Sequence, residues 1–438
     1  MTGKKPVMFI GGTRPEAIKL APVIWGLDES GVEYIFVWSG QHYDYEMSRV
    51  FFEELKLPEP VLDLGVGSGT HAEQTAKAMI GIENAIKKLN PSVVVAQGDT
   101  NTVVAAALAS AKTLTPFAHV EAGLRSWDRT MPEEINRVLA DALAQHCFAP
   151  TELAAINLMH EGIPLRKIHV TGNTILDAVH RYITVSRERR ETFFTQLNLG
   201  EREYAIATIH RQENISNPEK LGNIAKALAT IAEEVPIVFP LHPRTRKTLE
   251  SLNLMAKLTE KGVLPLNPLG YFEFLGLLDA SLLVLTDSGG VQEEAYILGI
   301  PTLTIRYNTE RPETVLSGIN KLVGTDAETI VKEAKATLEN RGEIIERWRS
   351  MQGLLGKGDA GARIAKILAE NLEGGVDSID SREDPFITYA MVSPEKAPWQ
   401  DIVAIYDERG FATVTAEKAR VAVVRASFTR LKALAGAD

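Results

Sequence analysis

Residues 285–301 read LTDSGGVQEEAYILGIP. An apolar run stops at an acid, a serine and two glycines, and helical spacing begins at once. A strand ending this way at a helix start aims unsatisfied backbone N–H groups, and the positive end of the helix dipole, at one point. Such a point suits an anion, phosphate above all. Ser288 also fits a plain N-cap and Gly299 the position just past the helix end, so one turn alone does not decide between holding a ligand and turning the chain.

Outward from this turn the same texture repeats. VMFIGG, EYIFVWSG, SVVVAQGD, PFAHVEAG, HCFAPT, KIHVTGN, YAIATIH, PIVFPLHP and LLVLTDSGG alternate with amphipathic stretches. Apolar runs without polar alternation read as strands buried on both faces, in parallel sheets covered by helices. The class is α/β, doubly wound. A length of 438 residues exceeds one ordinary core. A seam falls at VTGNTILDAVHRYITVSRERRE, giving an N-terminal domain over 1–174 and a second over 175–374. Residues 375–438 read as an acidic linker (VDSIDSREDP) and a small extension, with strands in FITYAMV and DIVAIYD and a helical pattern from about Ala416 to Ala435; the extension is assigned to packing or oligomerisation. The polar, glycine-rich segments all follow strands, which places them in a cleft between the two domains.

A net charge of −10 argues against nucleic acid as a partner. No stretch approaches the roughly 20 apolar residues that span a bilayer, and the N-terminal apolar run is too short for a secretory signal, so the expected location is the cytoplasm. The single cysteine, Cys147, excludes an internal disulfide and reads as a small buried hydrophobe.

FIGGTRPEAIKLAPVI repeats the strand–glycine–helix logic, with Pro15 in the first turn. Arg14 and Lys19 beside that helix start would complement a diphosphate, and read equally as solvated surface charges. GGTRPEA lacks the third glycine of a dinucleotide fingerprint. Asp99 follows the strand SVVVAQ, Glu121 follows PFAHV, and Glu133 and Glu134 open the helix of MPEEINR. Singly these acids read as caps or dipole partners. Converging, they repel one another, push a pKa upward and suit general acid–base work. In the second domain, His210-Arg211 and then His242, Arg244 and Arg246 follow strands, and Glu310 and Arg311 follow TLTIR. Histidine trailed closely by arginine favours a phosphate role. No HExxH, CxxC or paired aspartates suited to Mg²⁺ appear, so the chemistry is expected to need no metal and no cofactor.

GTRPEAIKLAP, GQHYD, QGDTNTV, HVEAGLRS, MPEEINR, VTGNTILDA, HRQEN, LTDSGGVQEEA and NTERPET run in this order over about residues 7–370. Together they resemble the non-hydrolysing UDP-N-acetylglucosamine 2-epimerase family. The resemblance implies a glycosyltransferase-B-like fold of two Rossmann-like domains, with a last helix near residues 362–371 crossing back onto the first. It implies interconversion of UDP-GlcNAc and UDP-ManNAc: a base takes the C2 proton while UDP leaves C1, and UDP re-adds to the bound 2-acetamidoglucal with a proton on the opposite face of C2. By this resemblance Asp99, Glu121, Glu133 and His210 are catalytic. Arg14, Lys19, His242, Ser288, Gly289, Gly290, Glu294 and Arg311 hold the UDP-sugar, Glu294 through the ribose hydroxyls. Bacterial members use a second UDP-GlcNAc as activator near Gln41, Arg211 and His242, but Asp44 in GQHYDYEM is an acid that would repel a diphosphate. The expected assembly is a homodimer. Rival readings are a 2-epimerase for a UDP-linked 2,3-diacetamido-uronic acid, a hydrolysing epimerase that releases free ManNAc, and a glycosyltransferase of the same fold.

Overall fold

The structure is a computed structural model and describes residues 5–40, 52–373, 405–406 and 412–413. Its chain divides into two units. The first comprises residues up to Arg125, Arg129–Thr174 and the chain from Asp359; the second comprises Ser126–Asp128 and Ile175–Gly358.

The first unit is built on strands β1 (Val7–Gly11), β2 (Tyr34–Trp38), β3 (Leu62–Asp63), β4 (Val93–Gln97), β5 (Phe117–Val120), β6 (His146–Ala149) and β7 (Ile168–Val170). All pairings in this sheet are parallel, in the order β3-β2-β1-β4-β5-β6-β7. β1 and β4 are buried throughout, which is why they read as uninterrupted apolar runs. Helices Arg14–Ser30, His71–Leu89, Asn101–Lys112, Pro132–Leu143 and Glu152–His160 lie on crossovers between these strands. Helix Ala360–Glu373 lies along Arg14–Ser30, where small residues let the backbones approach: a Cβ on Gly361 would stand 2.3 Å from the Pro22 carbonyl oxygen.

The second unit repeats the plan with β8 (Ala205–Thr208), β9 (Ile237–Pro240), β10 (Val263–Leu266), β11 (Val284–Thr286), β12 (Thr302–Thr304) and β13 (Asn320–Leu322), all parallel in the order β10-β9-β8-β11-β12-β13. Both sheets therefore reverse direction of growth once, between β1 and β4 and between β8 and β11. In doubly wound sheets that switch point is where loops part and ligands sit.

Three edge strands, β3, β10 and β13, were not legible as apolar runs. They are short and mostly half-buried, and β10 carries Pro265, which an edge position tolerates. Among the described residues no helix is long and apolar enough to cross a membrane. Cys147 is fully buried, as expected of a small hydrophobe, and burial pushes its thiol well up. Residues 405–406 and 412–413 pair as a short antiparallel ladder within the segment read as DIVAIYD and beyond; the expected strand FITYAMV and the helix from Ala416 lie outside the described residues.

Candidate active site

In the first unit the switch point gathers the loops after β1, β4 and β5. Helix Arg14–Ser30 starts at Thr13 with a capping box. The Glu16 carboxylate accepts from the backbone N–H of Gly12 (2.8 Å) and Thr13 (2.7 Å) and from the hydroxyls of Thr13 (2.9 Å) and Thr100 (2.6 Å). This helix terminus, expected to face a diphosphate, thus already holds an internal carboxylate. Burial raises the Glu16 pKa, against the lowering effect of those bonds. Arg14, the first helical residue, is half-buried.

Lys19 is buried and pairs with Glu121 at 2.5 Å, and Gln97 donates to the other Glu121 oxygen at 2.7 Å. Glu121 sits at φ 68°, in the left-handed region that residues with a Cβ rarely occupy. Strain of that kind collects at functional sites and needs surrounding structure to hold it. Asp99 keeps 30% of its side chain exposed and receives the Arg137 guanidinium through Nε (3.0 Å) and Nη2; Arg137 Nη1 donates to Glu134 at 2.7 Å. Asn136 donates to the Asp99 carbonyl at 2.9 Å. Thr100, rather than Asp99, is the N-cap of helix Asn101–Lys112. Glu133 and Glu134 both open helix Pro132–Leu143, but they differ: Glu134 is buried against Arg137 and Glu133 is half-buried.

In the second unit β8 delivers His210 and Arg211, and β11 delivers Asp287 and Ser288. Asp287 is fully buried; its oxygens accept from the backbone N–H of His210 (3.0 Å) and Arg211 (3.0 Å) and from Asn214 Nδ2 (3.0 Å). His210 Nδ1 lies 3.1 Å from Asp287 Oδ1 while 45% of the imidazole stays exposed. Burial opposes ionisation of Asp287, but the adjacent His210 and these hydrogen bonds hold its carboxyl below the usual aspartate range.

Helix Gly289–Leu298 begins at Ser288, whose side chain makes no capping bond, and ends at Gly299 in the left-handed region (φ 69°). Among the described residues the N–H groups of Gly289, Gly290 and Val291 meet no protein acceptor, and the first helical bond runs from Gln292 N to Ser288 O. This terminus is the converse of the one that Glu16 fills. A Cβ on Gly289 would stand 2.3 Å from Glu310 Oε1, whereas one on Gly290 would meet nothing within 4 Å. Glu310 is held by Arg211 (3.1 Å) and Arg306 (2.9 Å), and Arg311 is ion-paired with the buried Glu293. Glu294 is buried one turn into the helix beside Tyr271, whose hydroxyl pKa is driven well up by burial and by that carboxylate. His242 caps helix Pro243–Ser251, its Nδ1 accepting from Arg244 N at 3.2 Å. Gln41 and Asp44 lie outside the described residues.

A family model described as UDP-N-acetylglucosamine 2-epimerase matches residues 27–369. The chain belongs to the UDP-N-acetylglucosamine 2-epimerase family. A Methanocaldococcus jannaschii protein named UDP-N-acetylglucosamine 2-epimerase is 47% identical over 365 residues, which cover 82% of this chain and 98% of the relative. The solved structure of the M. jannaschii enzyme in complex with UDP-GlcNAc and UDP superposes with a TM-score of 0.77 at 46% identity, covering 83% of this chain and 99% of that one. A Pseudomonas aeruginosa relative, 40% identical over 83% of this chain and 99% of its own length, is named UDP-2,3-diacetamido-2,3-dideoxy-D-glucuronate 2-epimerase. The fold of this family member is glycosyltransferase-B-like, and residues 370–438 lie beyond the family match.

Several residues of the site carried no usable signal in the sequence. Asp287 precedes Ser-Gly-Gly and reads as a turn residue, because His210 lies 77 positions away. Glu293 finds Arg311, and Arg137 finds Asp99, only in the fold. Glu16 was readable: Thr13-x-x-Glu16 is the capping-box spacing.

Proposed function

We propose that this chain interconverts UDP-GlcNAc and UDP-ManNAc by eliminating UDP to a bound 2-acetamidoglucal and adding it back. The observation that carries the reading is the helix start at Ser288, where among the described residues three successive N–H groups meet no protein acceptor and the Ser288 hydroxyl makes no capping bond. A diphosphate supplies the acceptors that terminus lacks. In the elimination a carboxylate takes the C2 proton, the C2–H electron pair forms the C1=C2 bond, and the C1–O bond breaks with its electrons on UDP. Return of UDP to C1 with a proton on the other face of C2 gives the epimer.

Asp99, Glu121 and Glu133 are assigned the proton transfers at C2. Lys19 acts through Glu121, its ion-pair partner. His210, oriented by Asp287, presents its exposed edge to the departing diphosphate and offsets the charge that develops there. Ser288, Gly289, Gly290 and Arg14 hold the diphosphate, with Arg311 and His242 flanking it. Glu294 holds the ribose. Gln41 and Arg211 match the positions of a second UDP-sugar in bacterial relatives, and the acid Asp44 close to Gln41 in the sequence opposes one. The chain is assigned to the cytoplasm as a homodimer.

A second reading has a specific support, the 40% identity to the diacetamido-glucuronate enzyme. It keeps every chemical step and changes the sugar. Incubation with UDP-GlcNAc in D₂O, followed by NMR, separates the readings. Deuterium at C2 together with UDP-ManNAc supports the proposal. Free ManNAc means hydrolysis, and an inert UDP-GlcNAc with turnover of the uronic acid transfers the assignment to the second reading.

A further inference from the structure

β5 carries a histidine, His119, that none of the steps above uses. It is fully buried, two residues before Glu121. One ring nitrogen, Nδ1, lies 2.6 Å from Asp141 Oδ1 and the other, Nε2, lies 2.7 Å from the carbonyl oxygen of Gly98, the residue before Asp99. Asp141, equally buried in helix Pro132–Leu143, uses its second oxygen to accept from Gly123 N at 3.0 Å and from Arg125 Nη2 at 2.6 Å. Gly123 follows Glu121 by two residues.

The contacts therefore form a chain from the loop of Asp99, through the His119 ring and the Asp141 carboxylate, to the loop of Glu121. Both anchor points are held at positive φ, Gly98 at 88° and Gly123 at 83°, and Glu121 between them at 68°. Glycine adopts such φ freely, so of the three only Glu121 is held against the preference of its Cβ. The same helix supplies Arg137 one turn before Asp141, so Asp99 is fixed by its side chain through Arg137 and by its preceding carbonyl through His119. The ring therefore has a polar partner at each end, a carboxylate oxygen at Nδ1 and a carbonyl oxygen at Nε2. Burial opposes ionisation of Asp141, yet His119 and Arg125 hold its carboxyl below the usual aspartate range; Glu161 in turn pairs with Arg125 and balances the group.

We propose that His119 is a positioning residue, a two-ended tie that sets the separation of the Asp99 and Glu121 carboxylates. The inference rests on the epimerase reading for its kinetic consequence, but the tie itself is judged without turnover. Two variants cut opposite ends. Asn places an amide nitrogen at the Nδ1 position, so His119→Asn keeps the Asp141 bond and releases Gly98. Gln places one at the Nε2 position, so His119→Gln keeps Gly98 and releases Asp141.

Hydrogen exchange followed by mass spectrometry on the full chain gives the direct readout. His119→Asn is expected to speed exchange about tenfold or more in the segment 98–101 and leave 121–124 near wild type; His119→Gln is expected to do the reverse, each through the loss of one buried hydrogen bond. With UDP-GlcNAc, each variant is expected to lose about 10- to 100-fold in kcat, with KM and UDP affinity within about threefold, because a displaced base costs rate rather than binding. Exchange that rises evenly through the unit in both variants, or in neither, overturns the tie. Localised exchange with unchanged kcat overturns its role in the reaction. A wild-type chain inert to UDP-GlcNAc defeats the epimerase reading and leaves the exchange result to stand alone; if one variant does not fold, the other still tests its own end.

Discussion

Asp287 shows how one side chain sets the character of a turn. Its carboxylate gathers two backbone N–H groups, an amide and the His210 ring, so that the imidazole edge left exposed belongs to Nε2. Asn in its place brings an NH₂ against donors it cannot accept from. Asp287→Asn is expected to lower kcat about 10²-fold while changing UDP affinity much less, measured by steady-state kinetics and by calorimetry with UDP. The same residue contributes to acid sensitivity. Its folded pKa lies below the ordinary 3.8, so its stabilisation is fully present above that pH and is lost as pH falls through the folded value. Thermal unfolding from pH 5 downward should therefore fall less steeply in Asp287→Asn than in wild type.

At the scale of elements, the two helix starts at the switch points are chemically opposite. Glu16 fills the first, and among the described residues nothing from the protein fills the second. Adjacent glycines at the second start have separate duties. Gly289 is pressed against Glu310, and Gly290 faces open space. Gly289→Ala forces Glu310 from Arg211 and Arg306 and should destabilise the fold by about 1–3 kcal/mol in denaturant unfolding. Gly290→Ala should leave unfolding within about 0.5 kcal/mol, since alanine suits a helix. It should nonetheless weaken UDP binding about tenfold or more, by placing a methyl group in front of the free N–H groups. Equal effects of the two substitutions on both measurements would remove the distinction.

These elements also show what could be read from sequence and what could not. The interior strands β1, β4, β8 and β11 were legible because burial on both faces writes an unbroken apolar run, and the turn residues after them stand out by contrast. Asp99, Glu121 and His210 were legible for the same reason. Edge strands were not, since half-burial leaves no period in four residues. Nor were the partners of the strand-end groups: Arg137 for Asp99, Asp141 for His119 and Asp287 for His210 depend on which loops the sheet order makes neighbours. Glu133 and Glu134 illustrate the limit within one helical turn, where only packing decides which carboxylate is buried against an arginine.

For the whole molecule, each unit is completed by chain from elsewhere in the sequence. Helix Ala360–Glu373 returns to the first unit through the Gly26, Gly361 and Ala365 contacts, and Ser126–Asp128 belongs with the second, where Asp128 accepts from Asn308 at 3.1 Å. Neither unit is a simple sequence segment. Recombination of UDP with the bound 2-acetamidoglucal is the central claim, and positional isotope exchange tests it most directly. UDP-GlcNAc labelled with ¹⁸O in the bridge between C1 and the β-phosphorus is incubated with the enzyme and followed by phosphorus NMR. Elimination predicts that the label spreads into the non-bridging β-phosphate oxygens at a rate matching deuterium uptake at C2. Epimerisation with deuterium uptake at C2 but the label fixed in the bridge would contradict the account, which requires the C1–O bond to break and the freed β-phosphate to turn before it re-adds.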